Sequence, residues 1–279
     1  MKKILFPTVF SETSINAFKY ALEVANQFNA SITTVHSFIA PMAMATPGVL
    51  IQDVVEATEK KEQEEYNFFI RKMHDISQEA GRLHIEVNNR LEYGLAVDEV
   101  VDMADEEDFD LIVMGTEGSE GFGRWLIGTH TSNVVKKAKC PVFVIPDEAK
   151  YRPIKKIAYA TDFKTLKDEV VDNLMEWVKR FGAEFHFIHI AHKGEYIDVD
   201  EYQNLEEIVD MSKKYDNIKF KIIYDNDVLD ELEDFAEDNN IDILMMVKRK
   251  LSFFQRIFEP SLTQQMTFET EVPLLIFHQ

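Results

Sequence analysis

The chain has 279 residues, 46% hydrophobic and 29% charged, which supplies a core for one large domain or two ordinary ones. Its 50 acidic residues outnumber its 30 basic ones, and a formal net charge of −20 opposes nucleic-acid backbones and anionic lipid surfaces. No apolar run approaches the roughly 18 residues of a membrane span, and the opening MKKILFPTVF lacks a signal h-region and a small-residue cleavage site. The single cysteine, Cys140, permits no intramolecular disulfide, so the expected setting is a reducing cytoplasm.

In chain order, strand and helix patterns alternate. KKILFPTV reads as a first strand. A helix follows from about Ser14 to Phe28, with Ser11 or Thr13 as N-cap and an apolar face of Ala17, Tyr20, Ala21, Val24, Ala25 and Phe28. SITTVHSF is the second strand. A loop rich in Pro, Ala and Met, Ile39 to Gln52, leads to a long charged helix from about Asp53 to Ala80. LHIEVNNRLE is the third strand and AVDEVVDMADEED the third helix. DLIVM is wholly apolar, as expected of a parallel strand covered on both faces. A glycine loop, a helix from about Thr129 to Ala138 and the strand PVFVI close the first half.

The second half repeats this order. IKKIAYATDF parallels MKKILFPTVF, AEFHFIHI parallels ASITTVHS, DILMMV parallels DLIVMG, and VPLLIF parallels CPVFVI. The offset is 153 early (His36 with His189) and 132 later (Asp110 with Asp242), so the second copy is 21 residues shorter between its second and fourth strands. PDEAKYRP, bounded by Pro146 and Pro153, reads as the linker, giving domains 1–146 and 153–279. Charge is shared equally: 24 acids and 14 bases in residues 1–150, 26 and 16 in 151–279, or −10 each. The alternation predicts an α/β, Rossmann-like fold with a parallel sheet in each half, whose ligand crevice lies beyond the carboxyl ends of the strands.

Five of the ten glycines fall between Gly115 and Gly128. Gly115, Gly118 and Gly128-Thr129, between a buried strand and a helix, suit a backbone cradle for phosphate at a helix N-terminus, with Thr129 and Thr131 as hydroxyl donors. A neutral cradle fits so acidic a chain. The loop has no Gly-Lys-Ser/Thr and follows the fourth strand, so it is neither a Walker A loop nor the dinucleotide fingerprint. At the same places the second copy has Val247, Lys250 and Pro260, which remove the cradle. It has Asp162 where the first half has Val9.

Gly-x2-Gly-x9-Gly-Thr after DLIVM, with ILFPTVFSET at the start and KCPVFVI at the end, resembles the universal stress protein family, and the duplication resembles its tandem members. The resemblance implies two five-stranded α/β domains of the adenine nucleotide alpha hydrolase-like type in a pseudo-two-fold arrangement, paired inside the chain through Val142–Ile145 and Leu274–Phe277, with a homodimer as a further arrangement. It implies an adenine nucleotide, ATP first, alone or with magnesium. Pro7 and Thr8 would line the site and the backbone at Ser37 would read adenine. Met114, Gly115 and Gly118 would approach ribose and phosphates, and Gly128, Thr129, His130 and Thr131 would hold the phosphates. Val9 stands where nucleotide-binding members usually carry aspartate. The functional expectation is a stress-response regulator that binds nucleotide in its first domain and uses its second for stability and contact with a protein partner. The alternative is a protein-interaction module with both sites vestigial.

Other features carry less. His186 and His192 alternate away from His189 along a strand, so a metal cluster is not expected. His36 and His189 are repeat equivalents and read as structural. Cys140 before Pro141 reads as packing. Lys248-Arg249-Lys250 reads as a solvated turn, with anion binding as the sharper alternative. Phe253, Phe254, Ile257 and Phe258 read as buried apolar surface. Asp105, Glu106 and Glu107 form a polar helix end. No catalytic pair is recognised, so no enzyme activity is expected beyond a slow ATPase as a third reading.

Overall fold

The computed structural model describes residues 1–40, 51–116, 129–161, 168–191, 205–206, 209–210, 216–247 and 271–278. Its strands are β1 (Lys3–Pro7), β2 (Ser31–Phe38), β3 (Val87–Tyr93), β4 (Leu111–Gly115) and β5 (Val142–Ile145), then β6 (Lys156–Ala160), β7 (Glu184–Ala191), β8 (Ile218–Tyr224), β9 (Ile243–Val247) and β10 (Leu274–Phe277). The helices are α1 (Glu12–Phe28), α2 (Ile51–Glu79), α3 (Ala96–Glu106), α4 (Thr129–Lys137), α5 (Asp168–Phe181) and α6 (Val228–Asp238). Among the described residues, no helix is long and apolar enough to cross a membrane.

The described residues divide into two compact units, the first holding 1–116 and Thr129–Val142 and the second those from Phe143 onward, so β5 straddles the division. In the first, the strand order is β3-β2-β1-β4, with every pair parallel. In the second, β8-β7-β6-β9-β10 repeats that order, again in parallel pairs. The central strands are apolar throughout because helices cover both faces: Ile4, Leu5, Phe6, Leu111, Ile112 and Val113 are fully buried, as are Ile157, Ala158, Ile243 and Leu244.

The repeat is also visible in the hydrogen bonds that start each sheet. Asp110 Oδ2 accepts the backbone N–H groups of Lys2 and Lys3 at 2.6 and 2.9 Å, and Asp242 Oδ2 accepts those of Lys155 and Lys156 at 2.8 and 2.9 Å. Lys3 Nζ reaches the Glu107 carbonyl as Lys156 Nζ reaches that of Asn239. Helix ends correspond too. Asn29 after α1 has φ 53° and Gly182 after α5 has φ 60°; Asp108 after α3 and Asn240 after α6 both have φ 53°. Each is a left-handed residue that turns the chain off its helix into the next strand.

The predicted elements fall within about two residues of where the pattern places them, and the start of the third strand is displaced further. Ser11 is the N-cap of α1, accepting from Ser14 N at 3.1 Å. The third strand begins at Val87 rather than Leu83, because Arg82 to Ile85 forms a turn closed by Ile85 N to Arg82 O at 3.0 Å. Arg82 is itself held by Glu23 at 3.2 Å.

Candidate functional site

In the first unit, β1 lies between β2 and β4 and the chain leaves it in opposite directions, which opens a crevice beyond its carboxyl end. Pro7, half-buried, ends β1. Thr8 is buried and fixed on three sides. Its N–H donates to Val35 O at 2.9 Å, its carbonyl lies 2.8 Å from His36 Nδ1, and its Oγ1 accepts from Phe10 N at 3.2 Å. Phe10 has φ 63°, a costly conformation for an aromatic residue, about 1–3 kcal/mol. Its ring meets His36 at 4.1 Å and both Tyr66 and Phe69 at 5.5 Å, which holds it there. Val9, between two anchored residues, is 48% exposed, and its N–H points to Ser14 Oγ at 3.4 Å.

The support under this turn comes from α2. His36 Nε2 meets Glu62 Oε2 at 3.3 Å. Tyr66 hydroxyl bonds Thr34 Oγ1, which also donates to Asn89 Oδ1 at 2.8 Å, and burial pushes the Tyr66 phenol up to about 12. His189 repeats the His36 arrangement, with Nδ1 2.7 Å from Thr161 O, so this histidine is part of the repeated scaffold.

On the other side of β1, Met114 and Gly115 end β4. A Cβ on Gly115 would lie 2.7 Å from Thr13 Cγ2 and 3.2 Å from Thr13 O. The close approach that requires glycine is thus to the first turn of α1, a packing cause within the fold. Thr131, in the first turn of α4, is buried and its Oγ1 lies 3.4 Å from Gly115 O. Thr129 and His130 are exposed at the same helix end, whose first turn carries no acidic residue beside its backbone N–H groups and positive dipole end. Gly118, Gly128, Asp162, Lys248-Arg249-Lys250, the aromatic group from Phe253 to Phe258 and Pro260 lie outside the described residues.

Two hydroxyls stand out. Ser37 Oγ, near the end of β2, and Thr116 Oγ1, one residue past β4, are buried and have no hydrogen-bond partner among the described residues. An unpaired buried hydroxyl costs about 1–3 kcal/mol. The sequence reading named Ser37 only for its backbone and did not name Thr116. The only sequence signal for Thr116 is its place after Gly115; its unpaired state is a property of the assembled strands.

Apart from the His130 imidazole, the described side chains of the crevice are hydroxyl, thioether and aliphatic, with no carboxylate at Pro7, Thr8, Val9, Ser37, Met114 or Thr116. Among the described residues no three His, Cys, Asp or Glu side chains gather as a metal site. This donor set fits a nucleotide better than a protein-held metal, and a magnesium ion would enter on the phosphates of the ligand. Elsewhere, His186 binds Glu184 at 2.5 Å, and Lys219 binds the same carboxylate at 2.9 Å. Burial pulls His186 down, and Lys219 pulls Glu184 down. Burial pushes the Cys140 thiol up to about 11. Asp105 is paired with Lys139 at 2.5 Å and Glu107 with Arg90, so two of the three acids in that run are engaged in ion pairs.

The universal stress protein family model matches residues 1–146 and again 153–278. The chain belongs to the universal stress protein family. It does so twice over, as a tandem member. A universal stress protein of Methanocaldococcus jannaschii is 30% identical over 144 residues, covering 52% of this chain and 81% of the relative. Another, from Synechocystis, is 19% identical over 99% of this chain and 100% of its own length, so both halves are aligned at once. Among solved structures, a universal stress protein from Archaeoglobus fulgidus covers 99% of this chain and 96% of its own with a TM-score of 0.70 at 19% identity, which is agreement of fold. The α/β, Rossmann-like tandem architecture expected from the sequence is therefore the observed one.

Proposed function

We propose that the first unit binds an adenine nucleotide, ATP foremost, as a regulatory ligand in a stress-response protein. The observation that carries this reading is the convergence at one strand-end crevice of the α4 N-terminus, with Thr131 buried against Gly115, and the unpaired hydroxyls of Ser37 and Thr116. Such a crevice offers backbone N–H groups to phosphates and neutral hydrogen-bonding groups to a nucleoside, in a chain whose overall charge would reject a phosphate at an ordinary surface. In this reading the protein is not an enzyme: Pro7, Thr8, Val9, Ser37, Met114 and Thr116 include no base, and His130 at the α4 end serves the phosphates. The second unit, with Val247, Lys250 and Pro260 in the loop positions, serves stability and partner contact.

Calorimetric titration with ATP, ADP and AMP, with and without magnesium, tests this. Saturable binding of at least one is expected; none at millimolar nucleotide sinks it. The rival reading, a protein-interaction module, draws on the exposed apolar residues along the same edge, Val9, Ile39, Tyr93 and Leu95. Native mass spectrometry of gently purified protein separates the two, since a co-purified adenine nucleotide belongs only to the first.

A further inference from the structure

Phe10 also lines a cavity of about 420 Å3 against α2, to which none of Pro7, Thr8, Val9, Ser37, Met114 or Thr116 contributes. That volume is of small-molecule size. The α2 residues of its wall recur at helical spacing from Lys61 to Lys72, so they share one face of the helix. Three rings supply the apolar part. Phe69 is buried and its ring centroid lies 5.5 Å from that of Phe10. Phe68 is 57% exposed, so its ring is open to a ligand rather than spent on the core.

The charged residues of the wall decide which chemistry fits. Lys61 is paired with Glu65 at 3.4 Å, and Lys72 with Glu12 at 3.4 Å. Glu64, also in the wall, has no hydrogen-bond or ionic partner among the described residues. Both lysines are thus neutralised in place and one carboxylate is left over. The net charge of −20 adds attraction for a cation at longer range.

The chain's own side chains show what the Phe68 ring accepts. Lys72 Nζ lies 5.4 Å and Arg71 Cζ 5.8 Å from its centroid. Cations settle there because the face of an aromatic ring is negative. Lys72 is otherwise tied to Glu12, whose side chain is 84% exposed, and so weak a surface pair lets it swing aside for an incoming cation.

We propose that this cavity binds a small organic cation, an ammonium group carried on an apolar or aromatic body. The ammonium lies against Phe68 and Glu64, and the body fills the space over Phe10 and Phe69. A bare metal ion gains little from three phenyl rings, and an anion meets Glu64. The site belongs to the first unit by sequence. Phe163 stands at the repeat position of Phe10, but the second copy is 21 residues shorter between its second and fourth strands, the interval that holds α2 in the first. One site per chain follows. The proposal does not rest on the nucleotide reading.

The test is equilibrium dialysis of the full chain, without nucleotide and at constant ionic strength, with benzyltrimethylammonium as probe and benzyl alcohol and benzoate as neutral and anionic controls. The cation should fill one site per chain with a Kd of about 3 mM or tighter, at least about tenfold below either control. Phe68→Ala should weaken it about five- to tenfold, and Phe68→Leu, which keeps apolar bulk without the ring, at least about threefold. Glu64→Gln should cost about threefold, whereas Glu56→Gln, on the same helix outside the cavity, should stay within about 1.5-fold. Tm should hold within about 2 °C in all four, since these side chains are exposed. No saturable binding by about 10 mM overturns the proposal. Equal affinity for benzyl alcohol overturns it as well, because that marks a merely apolar patch. So does a loss at Glu56→Gln as large as at Glu64→Gln, the mark of diffuse attraction to an acidic surface, or a Phe68→Ala variant within about twofold of wild type.

Discussion

The two units begin their sheets in the same way and end them differently. At the amino ends, an aspartate gathers two backbone N–H groups at the start of the first strand, and a lysine of that strand bonds the carbonyl just after the helix that leads to the fourth strand. At the carboxyl ends, the first unit has the Gly115 and Thr116 junction and the neutral residues Ser37 and Val9. The corresponding sequence of the second has Ile190, Asp162 and Lys248, with Val247 replacing Gly115. What both units keep is what the sheet needs to form. What only the first keeps is concentrated where a ligand would sit. Duplication thus provides an internal control that separates scaffold from site.

The largest expected effect tests the shared part. Asp242 is buried and binds two backbone N–H groups and Arg152 Nε at 2.5 Å, whereas Asp110 binds its pair at an exposed position. Asp242→Ala should destabilise by about 3 kcal/mol and Asp110→Ala by about 1, because water replaces the acceptor only where it has access. Urea denaturation of the two variants measures both. Equal losses would show that burial does not distinguish the two copies.

The next tests the difference. Gly115→Val installs the residue of the second copy at a place where a Cβ already lies 2.7 Å from Thr13 Cγ2. Overpacking of this kind should lower stability by about 1–3 kcal/mol and, by shifting the start of α1 against the crevice, weaken nucleotide binding at least tenfold. A variant with unchanged Tm and unchanged affinity would show that the junction is plastic and that Gly115 has no structural need.

A third effect has no counterpart among the described residues of the second unit. Tyr66 anchors α2 over the Thr8 turn, with its phenol at about 12 against an ordinary 10.0. The folded state therefore holds the proton that the unfolded state gives up first. The stabilisation is complete below pH 10 and is lost as pH rises from about 10 towards 12, amounting to about 3 kcal/mol at most. Unfolding free energies of wild type and Tyr66→Phe at pH 9 and 11 should converge, with wild type losing more. Parallel decline in both would remove Tyr66 as the cause.

Most of the fold was legible in the sequence because its signals are local. Apolar runs such as DLIVM, the Ser11 cap and the amphipathic spacing of α1 each act over a few residues, and the repeat makes each count twice. The first residues of β3 were misread since LHIEVN alternates like a strand while its backbone is committed to a turn. The site was legible only in part. Thr8, Thr131 and the α4 terminus follow from order along the chain. The unpaired state of Thr116 belongs to the assembled strands, and the reason for Gly115 lies with Thr13, about a hundred residues away in sequence. Glycine spacing suggests a ligand at 115, and the structure adds a close approach to α1 that is visible only in three dimensions.

The smallest effect concerns a residue that differs between the copies without changing its task. Cys140 precedes Pro141 as Val272 precedes Pro273, and both proline carbonyls accept from the fourth strand of their unit, Ile112 N at 3.0 Å and Leu244 N at 2.9 Å. Val272 is buried, and Cys140 is partly so, with its thiol at about 11. If the position is one of packing alone, Cys140→Val should change stability by less than about 1 kcal/mol, as similarly sized apolar exchanges do. The thiol should also alkylate slowly. At pH 8 a group at 11 is about a hundredfold less ionised than one at 9.0, so iodoacetamide should label native protein about a hundredfold more slowly than urea-unfolded protein. Fast labelling of the native chain would instead make Cys140 a reactive group peculiar to the first unit, and the equivalence with Val272 would fail.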